Sequence, residues 1–98
     1  MNKDLTKIIS HYGVNAQQRQ LAEEVFELQE AITAYENDYE GLNMGNDTNH
    51  IAEEIADVAV LLNQFIDYYD LDSEKIQEIA NYKIRRQLER IKNEVKER

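Results

Sequence analysis

The stretch HIAEEIADVAVLLNQF, residues 50 to 65, decides the fold class of this chain. Apolar side chains recur along it every three or four residues, the spacing that lines one side of an α-helix: Ile51, Ile55, Val58, Leu62 and Phe65. Glu54 interrupts the pattern, because at about 100° per residue it falls only about 60° from the middle of the apolar side. Asp57 follows one turn later. The segment therefore predicts an amphipathic helix with one carboxylate, that of Glu54, at the margin of the side that faces the core.

The N-terminal part of the chain shows the same periodicity and predicts two further helices. The first is short, covers residues 4 to 13, and ends at Gly13, because glycine commonly terminates helices. The second starts near Asn15, which we expect to be its N-cap, with Gln18 three residues later. Residues 36 to 49 are rich in glycine, asparagine and aspartate and predict a loop.

The C-terminal part predicts the start of the third helix and all of the fourth. Polar residues that can cap these helices are Asp47, Thr48 or Asn49 for the third helix and Asp72 or Ser73 for the fourth. The third helix continues to about Tyr69, and the fourth extends from about Glu74 almost to the C-terminus. The apolar side of the fourth helix consists of Ile76, Ile79, Ile84, Leu88, Ile91 and Val95.

The fold that these segments predict is all-α. No segment shows the alternation of a half-buried strand, and 98 residues suffice for a single domain, residues 1–98. We expect a compact bundle of about four helices. Cysteine is absent, which excludes disulfides and thiolate chemistry, and no segment predicts a membrane span or a signal peptide. The expected location is the cytoplasm.

Charge is distributed unevenly along the chain. The net charge of −9 argues against general binding to nucleic acid. Residues 75 to 98 nevertheless hold eight of the eleven basic residues and only four acids, whereas the first 74 residues carry 3 basic and 16 acidic groups. An acidic body with a basic C-terminal segment indicates two complementary halves of one site.

Two acidic motifs match each other in the second and third predicted helices. EEVFE places Glu24 and Glu27 three residues apart with Glu23 just ahead, and EEIAD places Glu54 and Asp57 likewise, with Glu53 just ahead. Residues i and i+3 are neighbours on a helix surface, so each pair can aim two carboxylates at one place. If the helices pack antiparallel, the two pairs face each other.

Four facing carboxylates repel one another, and bound divalent cations relieve that repulsion at neutral pH. All-oxygen sites suit Mg²⁺, with Mn²⁺ as a possible substitute. The alternative is that these glutamates form a solvated helix surface, although two matched pairs beside apolar sides favour a site. A di-iron site needs Glu-x-x-His motifs, and neither His11 nor His50 has a glutamate three residues before it. We expect His11 to be able to contact a substrate and His50 to be solvated.

These motifs carry a resemblance to a known family. RQLAEEVFELQEAI followed by IAEEIADVAVLLNQF resembles the E-x-x-E…E-x-x-D signature of the MazG-like all-α nucleoside triphosphate pyrophosphatases. The ending YKIRRQLERI is similar to the C-terminal segment of small single-domain members from bacteria and phages. The resemblance extends from about Gln17 to Lys92. Many relatives have an asparagine shortly after the C-terminal lysine, whereas this chain has KIRRQ, a departure that concerns recognition of base and sugar.

The resemblance implies hydrolysis of a (d)NTP to the monophosphate and pyrophosphate, for housekeeping of the nucleotide pool. It implies that Mg²⁺ is held at Glu24, Glu27, Glu54 and Asp57, and that Glu23 assists a further ion. It also implies a homodimer or homotetramer, which the apolar surface of such long helices in a small chain favours independently.

The positions of further side chains indicate candidates for proton transfer, phosphate binding and base stacking. Within its E-x-x-E pair, Glu27 lies further than Glu24 from the apolar side of the helix and is our candidate to take the proton of the attacking water. Lys83, Arg86 and Arg90, with Gln87, share one side of the fourth helix and are candidate phosphate ligands, unless they form only a solvated basic surface. Aromatic residues that could stack on a base are Tyr12, Phe26, Tyr35 and Tyr68.

Two other functions are compatible with the sequence. The first is a non-enzymatic helical interaction or regulatory protein that retains the acidic scaffold and binds a partner through its long fourth helix. The second is an enzyme that acts on another phosphorylated small molecule and differs in what the first helix and the loop at residues 36 to 49 recognise.

Overall fold

The chain folds into four α-helices. A computed structural model describes residues 3–37 and 47–96, which form α1 (Lys3–Tyr12), α2 (Val14–Glu36), α3 (Thr48–Tyr68) and α4 (Ser73–Lys96). The described ranges contain no strand, so the all-α prediction with four helices is confirmed. α2 continues through Glu36, where we expected the loop to begin, and most of that predicted loop lies outside the described residues.

Gly13 is the only residue between α1 and α2. Its φ of +91° lies in a region that side chains with a Cβ rarely adopt, although open space surrounds the position where a Cβ would be. Its amide donates to the carbonyl of Ile9 over 2.8 Å, and its carbonyl accepts from the amide of Gln17 over 3.1 Å. Gly13 thus ends α1, as predicted, and is also the N-cap of α2. The prediction of Asn15 as that cap is wrong, because Asn15 lies inside the helix.

Aspartates cap the other two helices. The Asp47 carboxylate accepts a hydrogen bond of 3.0 Å from the amide of His50 at the start of α3. The Asp72 carboxylate accepts from the amides of Glu74 and Lys75 over 2.9 and 3.4 Å at the start of α4. Both caps are among the predicted candidates and satisfy amides that have no partner within their own helix.

α2 and α3 pack against each other as the main helix pair, and α1 packs mainly on α3. The apolar core is small: among the described residues, Ile9, Ala31 and Leu61 are buried, one from each of these three helices. Gln17 near the start of α2 meets Gln64 near the end of α3, so the two helices are antiparallel. This is the direction that brings their acidic motifs face to face.

A hydrogen bond between two amides crosses that core. The Gln17 Nε2 donates to the Gln64 Oε1 over 2.9 Å, and the two side chains are only 8% and 2% exposed. If α2 shifted along α3, the two buried amides would lose each other as hydrogen-bond partners, and water has little access to replace them. The pair therefore favours one alignment of α2 on α3 over a shifted one.

α4 does not complete a compact bundle. None of its residues is buried, and its six predicted apolar residues are between 38% and 65% exposed. The radius of gyration is 17.7 Å, against about 13 Å for a compact domain of this length. The prediction of a compact bundle is therefore wrong for the single chain, because the apolar side of α4 finds no surface to cover within it. No helix in the described ranges has the length and apolarity needed to cross a membrane.

We predict that Gln64→Met destabilises the fold by about 1–3 kcal/mol, because it leaves the buried amide of Gln17 without its acceptor. The double variant with Gln17→Met and Gln64→Met should be closer to the wild type, since it removes both polar groups together. Urea unfolding of the two single variants and the double variant measures this. A double variant that loses the full sum of both single effects would contradict the role assigned to the pair.

Candidate metal and phosphate site

Three carboxylates meet where α2 faces α3. Glu24, Glu27 and Glu54 each offer one oxygen atom, and these atoms all lie within 4.8 Å of one another. Glu24 and Glu54 are half-buried, and Glu27 is exposed. We call these three residues the acidic cluster. Three of the four carboxylates that the sequence placed opposite each other are therefore brought together.

Glu24 and Glu54 each have an oxygen that lacks a hydrogen-bond donor. Both Oε2 atoms are shielded from solvent and have no partner among the described residues. A buried carboxylate oxygen without a donor is unfavourable, because the water that solvated it has not been replaced. A cation bound between the carboxylates would supply the missing partner.

Gln20 holds the other oxygen of Glu24. Its Nε2 donates to the Glu24 Oε1 over 2.8 Å, one helical turn away on α2. This contact leaves the Oε2 of Glu24 as the oxygen without a donor. Gln20 is not among the residues predicted from the sequence, although its position four residues before Glu24 is a signal that could have identified it.

Electrostatic repulsion in the acidic cluster acts most clearly on Glu27. The charge of Glu24 raises the pKa of Glu27 above its usual value, and the charges of Glu54 and Glu23 act in the same direction. Because this pKa is higher in the folded than in the unfolded chain, the charged form of Glu27 disfavours folding at neutral pH. That cost disappears as the pH falls through the raised pKa.

A cavity of about 270 Å³ adjoins the acidic cluster. Its lining consists of Glu27, Glu30, Ala31, Ala34, His50 and Glu54, all from α2 and α3. His50 is half-buried and contributes to this lining, a position that was not predicted from the sequence. The reason is that the antiparallel packing sets the start of α3 beside the second half of α2, which the sequence of α3 alone does not reveal.

Two further predicted metal ligands lie outside the cluster. Asp57 and Glu23 are exposed, and neither contributes to the group of oxygen atoms within 4.8 Å. Glu23 is near enough for its charge to raise the pKa of Glu27. Their participation in metal binding stays a prediction.

The predicted phosphate ligands share a second concavity. Lys83, Arg86 and Arg90 line it together with Gln87, and its volume is about 210 Å³. The guanidinium of Arg86 also lies 5.9 Å from the centre of the Tyr82 ring. This concavity is formed by α4 alone and shares no residue with the cavity at the acidic cluster. One chain therefore presents the acidic and the basic groups on separate surfaces.

The other candidates for substrate contact lie away from the acidic cluster. His11 and Tyr12 are exposed at the end of α1, with ring centres 4.7 Å apart in an edge-to-face contact, and neither lines the cavity. Phe26 is exposed and lines a groove on α2 that shares Glu30 and Ala34 with the cavity. The groove that Phe26 lines therefore adjoins the cavity, although Phe26 itself is not part of the cavity lining.

Comparison of the chain with protein-family models, with curated proteins and with solved structures gave no match. The chain is an all-α protein of four helices with an acidic cluster, and its membership of the MazG-like family stays a prediction from its motifs.

We predict that Mg²⁺ at about ten times its Kd stabilises the wild-type chain by about 1.4 kcal/mol and raises Tm by about 7 °C. Glu54→Gln should remove this response, because it takes one of the three converging carboxylates away. Thermal unfolding with MgCl₂, compared with NaCl at equal ionic strength, measures the effect. Glu53→Gln is the matched control, since this neighbouring exposed glutamate lies outside the acidic cluster and its variant should respond like the wild type. An equal Mg²⁺ response in both variants would show that the cluster holds no cation.

Proposed function

We propose that the chain is a Mg²⁺-dependent nucleoside triphosphate pyrophosphohydrolase that converts a (d)NTP and water to the (d)NMP and pyrophosphate. The observation that supports this most directly is the acidic cluster, with two shielded and unpartnered oxygens, beside a cavity. The acidic motifs and their resemblance to the MazG-like enzymes give the reaction class.

The donor set fits a hard divalent cation. Only carboxylate oxygens converge in the acidic cluster, and Mg²⁺ and Mn²⁺ prefer such ligands to nitrogen or sulfur. Glu24, Glu27 and Glu54 would hold the ion, with Asp57 and Glu23 as further proposed ligands. When bound, the ion neutralises phosphate charge and makes a water molecule easier to deprotonate.

The side chains of this chain then have separate tasks. Gln20 keeps the Glu24 carboxylate turned toward the site. Glu27 is the most exposed of the three clustered carboxylates and lines the cavity, so one of its oxygens can take the proton of the attacking water. Lys83, Arg86 and Arg90 would bind the distal phosphates, with the planar guanidinium groups suited to two-pronged contacts.

A second copy of the chain would bring the two surfaces together. α4 has an unburied apolar side and a basic flank, whereas the body formed by the other helices is acidic. Apolar surface of this extent is unusual on a monomer, and opposite charges on the two parts favour docking of α4 on another copy. We therefore propose a homodimer or homotetramer in which α4 covers its apolar side against a second chain.

The assembly is tested by Leu88→Glu, which places a charge on the apolar side of α4. We expect the wild type to have the mass of two or four chains at micromolar concentration and the variant to dissociate. Multi-angle light scattering after gel filtration measures both masses. Leu88→Met keeps the same position apolar and should leave the mass unchanged. A wild-type mass of one chain would rule out the assembly.

The activity is tested by pyrophosphate release from a full panel of (d)NTPs with Mg²⁺. We expect release from at least one nucleotide, and a loss of about a hundredfold or more in Glu54→Gln, comparable to the removal of one group that stabilises developing charge. Glu53→Gln again serves as the matched control and should retain activity. The proposal fails if no nucleotide yields pyrophosphate, or if Glu54→Gln is as active as the wild type.

The unburied apolar side of α4 also supports a different function, namely a non-enzymatic interaction protein whose helix binds another protein. In that case the assay yields no pyrophosphate with any nucleotide, and Leu88→Glu abolishes partner binding. An enzyme acting on another phosphorylated small molecule would instead need Mg²⁺ and Glu54 but reject every nucleotide in the panel.

A further inference from the structure

The cavity beside the acidic cluster contains one side chain of different chemistry. Glu27, Glu30 and Glu54 are acceptors when ionised, and Ala31 and Ala34 are apolar. Among the described residues that line the cavity, His50 is thus the one whose side chain can donate a hydrogen bond. A neutral imidazole already carries one N–H donor, so this ability does not require the ring to be charged.

The position of His50 relative to the acidic cluster is fixed by α3. His50 precedes Glu54 by four residues, so both lie on the same side of the helix, about one turn or about 6 Å apart along its axis. The Asp47 cap accepts the His50 amide over 3.0 Å and secures the first turn. His50 is half-buried at this capped helix start.

The opposite wall leaves room for a ligand. Ala31 is buried and Ala34 half-buried on α2. Because both side chains are single methyl groups, they occupy little of the cavity that they line. An anionic ligand held by cations at the cluster would extend into this space, where Glu30 repels it. A hydrogen-bond donor on the facing wall offsets that repulsion.

We propose that His50 is a substrate-binding residue whose imidazole donates a hydrogen bond to a phosphate oxygen of the ligand held at the acidic cluster. This inference rests on the proposed function, since it takes the ligand to be a polyphosphate bound with Mg²⁺. His50 would contact the phosphate chain and not the sugar or the base. The reason is that His50 lies one helical turn from Glu54 and can reach a phosphate next to the bound cations.

The test compares two probes by isothermal titration calorimetry with Mg²⁺ present: a dNTP with a non-hydrolysable α,β-imido bridge, and inorganic tripolyphosphate. We expect His50→Ala to weaken binding of both about tenfold or more, as loss of a hydrogen bond to a charged group does. His50→Gln keeps an N–H donor and should retain most of the affinity. Asn49→Ala is the matched control and should bind both probes like the wild type, because Asn49 is exposed next to His50 on α3 and does not line the cavity.

Metal binding separates a ligand contact from a structural role. The Tm of His50→Ala without ligand should equal that of the wild type. The increase in Tm on addition of Mg²⁺ should also be equal, because the three clustered carboxylates are intact. If His50→Ala binds both probes like the wild type, or weakens the dNTP alone, the phosphate contact is refuted while the proposed function stands. If the wild type binds neither probe, both proposals fall together.

Discussion

The antiparallel contact between α2 and α3 is the constraint on which the site depends. Gln17 and Gln64 share a buried hydrogen bond near one end of this helix pair, and His50 faces Ala34 near the other. Between these ends, Glu24 and Glu27 meet Glu54. A shift of one helix by a single turn would move Glu54 about 5.4 Å along α2 and separate its carboxylate from the other two. The amide pair and the acidic cluster therefore require the same alignment.

That alignment stabilises the chain at one point and destabilises it at another. The Gln17–Gln64 pair is satisfied, whereas Glu24 and Glu54 each retain a shielded oxygen without a donor. The neighbouring charges also raise the pKa of Glu27. Packing and hydrogen bonds elsewhere in the fold must offset this repulsion, since the net stability of a domain is only about 5–15 kcal/mol. Unpartnered polar atoms and raised carboxyl pKa values of this kind are typical of ligand-binding sites, because a ligand can supply the missing partners.

α4 links the architecture of the chain to its proposed activity. Its apolar side is exposed, and its basic residues line a concavity that shares no residue with the cavity at the acidic cluster. Covering the apolar side would stabilise the helix, and the opposite charges of α4 and the acidic body would orient the approach of a second chain. In the proposed assembly, oligomerisation and substrate binding would depend on the same helix, since the proposed phosphate ligands and the apolar residues alternate along α4.

The sequence by itself determined the four helices, the short sets of residues that include the caps Asp47 and Asp72, and the direction of Glu24, Glu27 and Glu54 around their own helix axes, because these depend on residues within a few turns. Only the tertiary structure decided that Asp57 lies outside the group of three oxygens, that His50 lines the cavity and that α4 stays exposed. Helical periodicity fixes where a side chain points around its own axis. It does not fix which helix packs opposite, at what offset or in which chain, because that choice depends on contacts between residues far apart in sequence.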